Sequence, residues 1–262
     1  MDLGIRGKRA LVLGAGGGLG SAIATVLAAE GTDLLLTDWF KPALEQIAGD
    51  LGALATSRVE SRLCDLSSAD DIAALADHAL GDFGGVDILV NLTGGPPSGS
   101  LFAVDDPTWI KQFEGMVLSV FRITKHLVPG MRERRWGRVL TSTSSGVQQP
   151  IPNLGISNAL RASLVTWSKT LAAEVAADGV TVNVLVPGRI HTKRTDELDK
   201  AAAERQGKPV EDIVRQSVST IPAARYGRPA EFANVAAFLV SDCASYITGS
   251  VIRVDGGLIR GI

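Results

Sequence analysis

The strand-like runs of this chain are apolar at successive positions rather than at alternate ones. "RALVLG" (9–14), "DLLLTD" (33–38) and "VDILVN" (86–91) all read this way. Side chains of a strand point alternately to opposite faces, so an unbroken apolar run belongs to a strand buried on both sides. Further strand-type runs fall at 61–66 ("SRLCDL"), 137–144 ("GRVLTSTS"), 180–187 ("VTVNVLVP") and 250–257 ("SVIRVDGG"). Helical spacing separates them, over 19–30, 41–51, 68–81, 107–133 (one helix or two), 157–177 and 229–241. Strand–helix alternation of this kind predicts one α/β domain over residues 1–262. It should be a doubly wound, mostly parallel seven-stranded sheet with helices on both faces. No Pro/Ser-rich linker interrupts it. The one long insertion, 192–216, is polar and charged and is expected to form a helical flap over a site.

Composition narrows the class. The chain is 45% hydrophobic and 21% charged, with a formal net charge of −2. That balance gives no reason to expect nucleic acid or an anionic membrane as partner. The two cysteines, Cys64 and Cys243, are expected to be free thiols in a reducing compartment. The N-terminal residues lack the pattern of a secretory signal, and no run of about 18 uncharged apolar residues occurs, so a cytoplasmic protein is expected.

"LGAGGGLG" (13–20) lies between the first strand and the first helix. Gly14, Gly18, Leu19 and Gly20 sit in a turn that lets the backbone approach a pyrophosphate at a helix N-terminus. This is the dinucleotide-binding arrangement of a Rossmann domain. Asp38 ends the second strand, where a carboxylate accepts from both ribose hydroxyls and repels a 2′-phosphate. NAD is therefore expected over NADP, with Lys41 the nearest cation. Asp65 is placed to accept from the adenine amino group. Asn91 and Gly94, in "NLTGG" (91–95), fall at the same C-terminal edge of the sheet. No metal-ligand cluster and no Ser/His/Asp set stands out.

Together with "CDL" (64–66), "GRVLTSTSSG" (137–146), "GVTVNVLVPGRIHT" (179–192) and "GRPAEFANVAAFLVSDCASYITGSVIRVDGG" (227–257), these residues fall in one family order. The chain resembles the short-chain dehydrogenase/reductases over essentially all its length, and among them the 3-oxoacyl-acyl-carrier-protein reductases. The resemblance implies hydride transfer between a nicotinamide and a carbonyl or alcohol. It places Pro187 and Gly188 beneath the nicotinamide and Ile190 and Thr192 at its carboxamide. It also implies a homotetramer or homodimer, built through the helices near 107–131 and 157–177 and the last strand.

The family's catalytic set is carried over only in part. Ser144 matches the serine that holds the substrate oxygen. Ser157 stands where the general-acid tyrosine is expected, and Arg161 where the lysine that binds the nicotinamide ribose is expected. Met116 falls at the asparagine of the proton relay. An aliphatic hydroxyl titrates well above the ~10 of a phenol and is several ångströms shorter. Arginine can donate to ribose hydroxyls but stays protonated. Ser144, Ser157 and Arg161 remain the catalytic candidates. Proton donation then falls to water or to His191, whose ordinary pKa near 6.5 suits it. Tyr226 and Tyr246 read as structural, and "RERRW" (132–136) as solvated turn charge.

Three functions compete on this reading. The first is an NAD(P)-dependent oxidoreductase with an atypical proton relay, acting on a 3-oxoacyl-type compound or small ketone. The second is a cofactor-binding pseudoenzyme with a regulatory or partner role. The third, a lyase or hydrolase, has no positive motif behind it.

Overall fold

A computed structural model describes residues 1–54 and 57–261. Seven strands form one sheet: β1 (Arg9–Leu13), β2 (Asp33–Asp38), β3 (Val59–Leu63), β4 (Ile88–Asn91), β5 (Gly137–Ser142), β6 (Val180–Pro187) and β7 (Val251–Val254). Their order is β3-β2-β1-β4-β5-β6-β7, and every pairing is parallel. The order reverses direction between β1 and β4, the switch point where open α/β sheets bind ligands.

Burial follows the unbroken apolar runs. Ala10 and Val12 of β1, with Leu34 and Leu36 of β2, pack on one face. Leu11, Leu13 and Leu35 pack on the other. The first face is covered by α1 (Gly18–Ala29) and α9 (Pro229–Leu239), through Ile23, Leu27 and Phe232. α2 (Lys41–Leu54) adds Leu44 and Leu51 there. The second face is covered by α3 (Ala69–Leu80), α5 (Ser119–Glu133) and α6 (Gly155–Val175), through Ile72, Leu127 and Val175. Among the described residues no helix is long and apolar enough to cross a membrane.

Several element ends differ from the sequence reading, and the structure resolves two segments that the sequence leaves open. β3 stops at Leu63, and three of its five side chains are exposed, because it is an edge strand with one neighbour. Asp65 therefore lies in the turn before α3, where Ser68 caps that helix by accepting from the Asp71 N–H. The stretch 107–133 is two helices, α4 (Asp106–Phe113) and α5, joined by a π-helical turn over Glu114–Leu118. The charged segment 192–216 folds as α7 (Lys193–Gln206) and α8 (Val210–Ser219).

At the opposite, N-terminal edge, Asp87 gathers two arginines. Arg9 donates from Nε and Nη2 to the two carboxylate oxygens, both at 2.9 Å. Arg134 donates from Nε at 3.0 Å and also to the Val86 carbonyl. Arg132 and Arg135 pair with Asp178. The arginines of "RERRW" are solvent-exposed, as read from the sequence, and they also pair with Asp87 and Asp178, joining the end of α5 to β1, β4 and the approach to β6. Burial of Asp87 opposes its ionisation. Hydrogen bonds from Arg9, with the charges of Arg9 and Arg134, outweigh it and hold the carboxyl below its ordinary value.

Asp87→Asn should therefore cost about 2–4 kcal/mol in denaturant unfolding, since it breaks a part-buried pair at one partner. A carboxyl with a lowered folded-state pKa stabilises above its unfolded value of about 4, and that contribution fades as pH falls through the folded value. The variant should accordingly lose less stability than the parent on acidification below about pH 4. A parallel acid profile for the two proteins would remove Asp87 from this role.

Candidate active site

The turn after β1 is built around close backbone contact. A Cβ on Gly20 would stand 2.1 Å from the Gly14 carbonyl oxygen, so only glycine lets α1 start where it does. Gly17 is the N-cap of α1 and offers no side chain to the first-turn N–H groups. A helix N-terminus left open in this way suits phosphate. Leu19 is half-buried and packs toward the core beneath the turn. Asp38 closes the turn from β2: one carboxylate oxygen accepts from the Gly16 N–H at 3.0 Å, the other from the Phe40 N–H at 2.9 Å. Trp39 and Phe40, which sequence reading passed over, stand exposed beside it.

A second element meets this turn. A Cβ on Gly18 would lie 2.9 Å from Cγ2 of Thr192, which caps α7 by accepting from the Thr195 N–H. Pro187 ends β6, and the Gly188 N–H donates to Val254 of β7. Ile190 is buried and bridges to Gly227. The N-termini of α1 and α7 therefore face one crevice at the C-terminal edge of the sheet. Glycine at 20 lets the Gly14 carbonyl close in and glycine at 18 lets Thr192 do so, while the uncapped start of α1 at Gly17 stays open, so these residues fit the pyrophosphate of a dinucleotide cofactor.

Asn91 ends β4, fully buried; its amide donates to Thr141 Oγ1 and its Oδ1 has no partner. Thr93 and Thr143, just past β4 and β5, also carry unpaired buried hydroxyls. Asp65 is spent locally: one carboxylate oxygen accepts from the backbone N–H and the hydroxyl of Ser67.

The α6 face comes next. Ser157 and Arg161, one turn apart, are both nine-tenths buried. Arg161 Nη1 donates to the Ser142 carbonyl at 3.2 Å; Nη2 donates to those of Thr93 at 3.2 Å and Gly94 at 2.9 Å. The guanidinium thus spans the ends of β4 and β5. Burial, and then the charge of Arg194, push its pKa down to about 10. It is still a cation near neutrality. Ser144 precedes the short helix 145–147, and its Oγ accepts from the Gly146 N–H at 3.2 Å. Asn158, which sequence reading left without a role, clamps the same loop to α6. Its side chain accepts from the Ile151 N–H and donates to the Ile151 carbonyl. Met116 lies in the π-helical turn and packs with Ile156, Leu160 and Leu164. It adds hydrophobic support beside Ser157 and no polar group.

The other proton donors lie elsewhere. His191 is mostly exposed and faces Asp196 at 3.3 Å. Tyr226 donates to Asp199 Oδ2 at 2.8 Å, and Arg189 donates to the other oxygen at 2.9 Å. Burial, with further help from Asp199, pushes the Tyr226 phenol up. That group binds α7 to the turn before α9. Tyr246 and His126 are exposed, and His78 sits between Glu60 and Asp82.

Comparison with known proteins agrees with this geometry. The family profile described as Enoyl-(Acyl carrier protein) reductase matches residues 14–259. Nodulation protein G of Rhizobium sp. (strain N33) is 37% identical over 256 residues, covering 97% of this chain and 98% of its own. The 3-oxoacyl-[acyl-carrier-protein] reductase FabG of Escherichia coli (strain K12) is 36% identical over 258 residues, covering 98% and 99%. Among solved structures, L-sorbose reductase from Gluconobacter frateurii, complexed with NADPH and L-sorbose, superposes with a TM-score of 0.94. It is 33% identical, with both chains covered in full. A NAD+-bound xylitol dehydrogenase superposes at 0.91 with 25% identity, covering 97% of this chain and 99% of its own.

Arg161→Leu should destabilise the chain by about 2–4 kcal/mol, because three carbonyls lose a charged donor in a buried setting. Arg161→Lys, with one compact ammonium, should cost about half as much. Hydrogen exchange should show the loss concentrated in residues 93–96 and 142–146. A uniform loss, or none, would mean that the guanidinium does not hold these strand ends.

Proposed function

Because the chain belongs to the short-chain dehydrogenase/reductase family, whose members are oxidoreductases with a nicotinamide dinucleotide cofactor, we propose that it reduces or oxidises a carbonyl/alcohol pair without a phenolic acid. The substrate is of the 3-oxoacyl or small-ketone class. The observation that carries this reading is the juxtaposition of an intact cofactor cradle with Ser144, Ser157 and Arg161 at the ends of β4 and β5. Gly14, Gly18, Leu19 and Gly20 hold the pyrophosphate. Asp38 takes the adenosine ribose and Asp65 the adenine edge. Asn91, Gly94 and Arg161 face the nicotinamide ribose, and Pro187, Gly188, Ile190 and Thr192 the nicotinamide. When bound, the cofactor supplies or accepts hydride.

The remaining chemistry belongs to the chain. Ser144 and Ser157 donate hydrogen bonds to the substrate oxygen. Arg161 lies beneath them as a fixed positive charge and stabilises the alkoxide that forms as hydride arrives. It keeps its proton, so the proton that completes an alcohol comes from water. His191 faces solvent with Asp196, and we assign it no part in the relay. Asp38, with both oxygens already oriented by backbone N–H groups, favours NAD over NADP. Solved relatives bind one or the other. Assembly as a homotetramer or homodimer fits the same reading, since Ile110 and Phe113 of α4 leave apolar surface exposed next to the stacked Phe121 and Trp167.

A second reading, a cofactor-binding pseudoenzyme with a regulatory or partner role, is favoured by one fact. Arg161 is committed to three carbonyls and Met116 to the core, which leaves the site short of groups that move protons.

The purified chain should oxidise NADH with a 3-oxoacyl thioester or small ketone, slowly, and bind NADH more tightly than NADPH. Ser157→Tyr combined with Arg161→Lys should raise turnover by about 10²-fold or more, the usual contribution of general acid catalysis. NADH binding without turnover across a broad carbonyl panel, in the parent and the double variant alike, would favour the second reading.

A further inference from the structure

Positive charge in the cleft beyond Ser157 lacks matching negative charge. Arg161 is nine-tenths buried, and among the described residues no carboxylate lies within ion-pair distance of it. Arg194 approaches the same loop from the other side. Its Nη2 donates to the Pro96 carbonyl at 2.8 Å, and its Nε passes 3.0 Å from where a Cβ on Gly95 would stand. The loop 93–96 is thus held between two guanidiniums. Nearby acids do little to balance them. Glu197 is 3.7 Å from Arg194 with both side chains about half exposed, Asp196 faces His191, and Asp199 is taken by Arg189 and Tyr226.

Position makes the imbalance sharper. Lys193 and Arg194 open α7, where the helix dipole is already positive and cations are disfavoured. An anion at this loop would relieve both guanidiniums at once. Pro96 leads directly into a groove of about 230 Å³ lined by Pro97, Gly99, Val104, Gly155 and Ile156. Pro97 follows Pro96, the carbonyl that Arg194 holds, and Ile156 precedes Ser157 on α6, so residues next to both lie along the groove.

We propose that Arg194, backed by Arg161, is the specificity-determining group for a carboxylate carried by the oxo substrate, so that the chain takes a small free oxoacid. The Arg194 fork, still solvent-accessible, offers the paired N–H geometry that a carboxylate accepts. A single negative charge suffices here, because Glu197 already offsets part of the positive charge. This assignment rests on the reading that the α6 face holds the reacting carbonyl.

Calorimetric titration of the NADH-bound chain with acetoacetate and with its methyl ester tests it. Acetoacetate should bind at least about tenfold more tightly than the ester, the effect of one charge-assisted contact. Arg194→Gln should bring the two within about twofold of each other while leaving NADH affinity unchanged. Equal binding of acid and ester by the parent, or no binding of acetoacetate at millimolar concentration, overturns the proposal. So does an equal loss of NADH affinity in the variant, which would assign Arg194 to the cofactor phosphates. Carboxylate-selective binding that depends on Arg194, without NADH oxidation, would support this assignment while counting against the redox reading.

Discussion

A parallel sheet covered on both faces leaves its backbone open to ligands only at the strand ends, and the rest of this molecule follows from that restriction. The inner strands bury both rows of side chains, so no polar group can be presented from the middle of the sheet. Function is displaced to the C-terminal edge, where the turn after β1, the loops after β4 and β5 and the start of α7 meet. The opposite edge is closed by the Asp87 and Asp178 ion-pair groups, which draw arginines from two places in the chain, Arg9 and the stretch 132–135. One end of the sheet is cross-linked by salt bridges and the other is built for close approach.

Arg161 belongs to both descriptions. As a structural group it joins the ends of β4 and β5 by donating to three carbonyls, which stand in for the carboxylate that a buried cation would otherwise require. As a site group it sets a fixed positive charge beneath Ser157. A lysine could make one of these contacts and still be drawn toward a ligand, whereas the planar fork fits several acceptors together and cannot give up its proton. With Met116 adding only apolar contacts beside Ser157, the local change is consistent across neighbouring positions. On the proposed reading this face offers two hydroxyls and a fixed positive charge rather than a titrating phenol.

Much of the architecture was legible in the sequence because it depends on local pattern. Apolar runs announced strands buried on both faces, and the glycine turn announced a close approach between Gly14 and Gly20. Element ends were less legible because they depend on neighbours. β3 stops early because it has one partner strand, and 107–133, readable as one helix or two, is two, joined by a π-helical turn that its periodicity does not signal. Charge was the hardest feature to read. "RERRW" is solvated charge, as its sequence suggests, but its partners Asp87 and Asp178 come from distant parts of the chain. Tyr226 and His191 were weighed by neighbourhood in sequence, but their partners, Asp199 and Asp196, decide what they do. Asn158, Thr93 and Thr143 carried no signal, because a single polar residue at a strand end or helix start is common in any chain.

The pairing of Arg161 with Arg194 could not be read from spacing at all, since the two lie on different helices on opposite sides of one loop. Each has an ordinary explanation alone: one joins strand ends, the other donates to a carbonyl in the first turn of α7. Taken together they concentrate like charge around residues 93–96, and burial of Arg161 makes that costly because solvent cannot screen it fully. With only the half-exposed Glu197 near Arg194 to offset this repulsion, the proposed site is one whose electrostatics are completed from outside the chain. On the proposed reading, the groove lined by Pro97 and Ile156 is where the missing charge has room to enter.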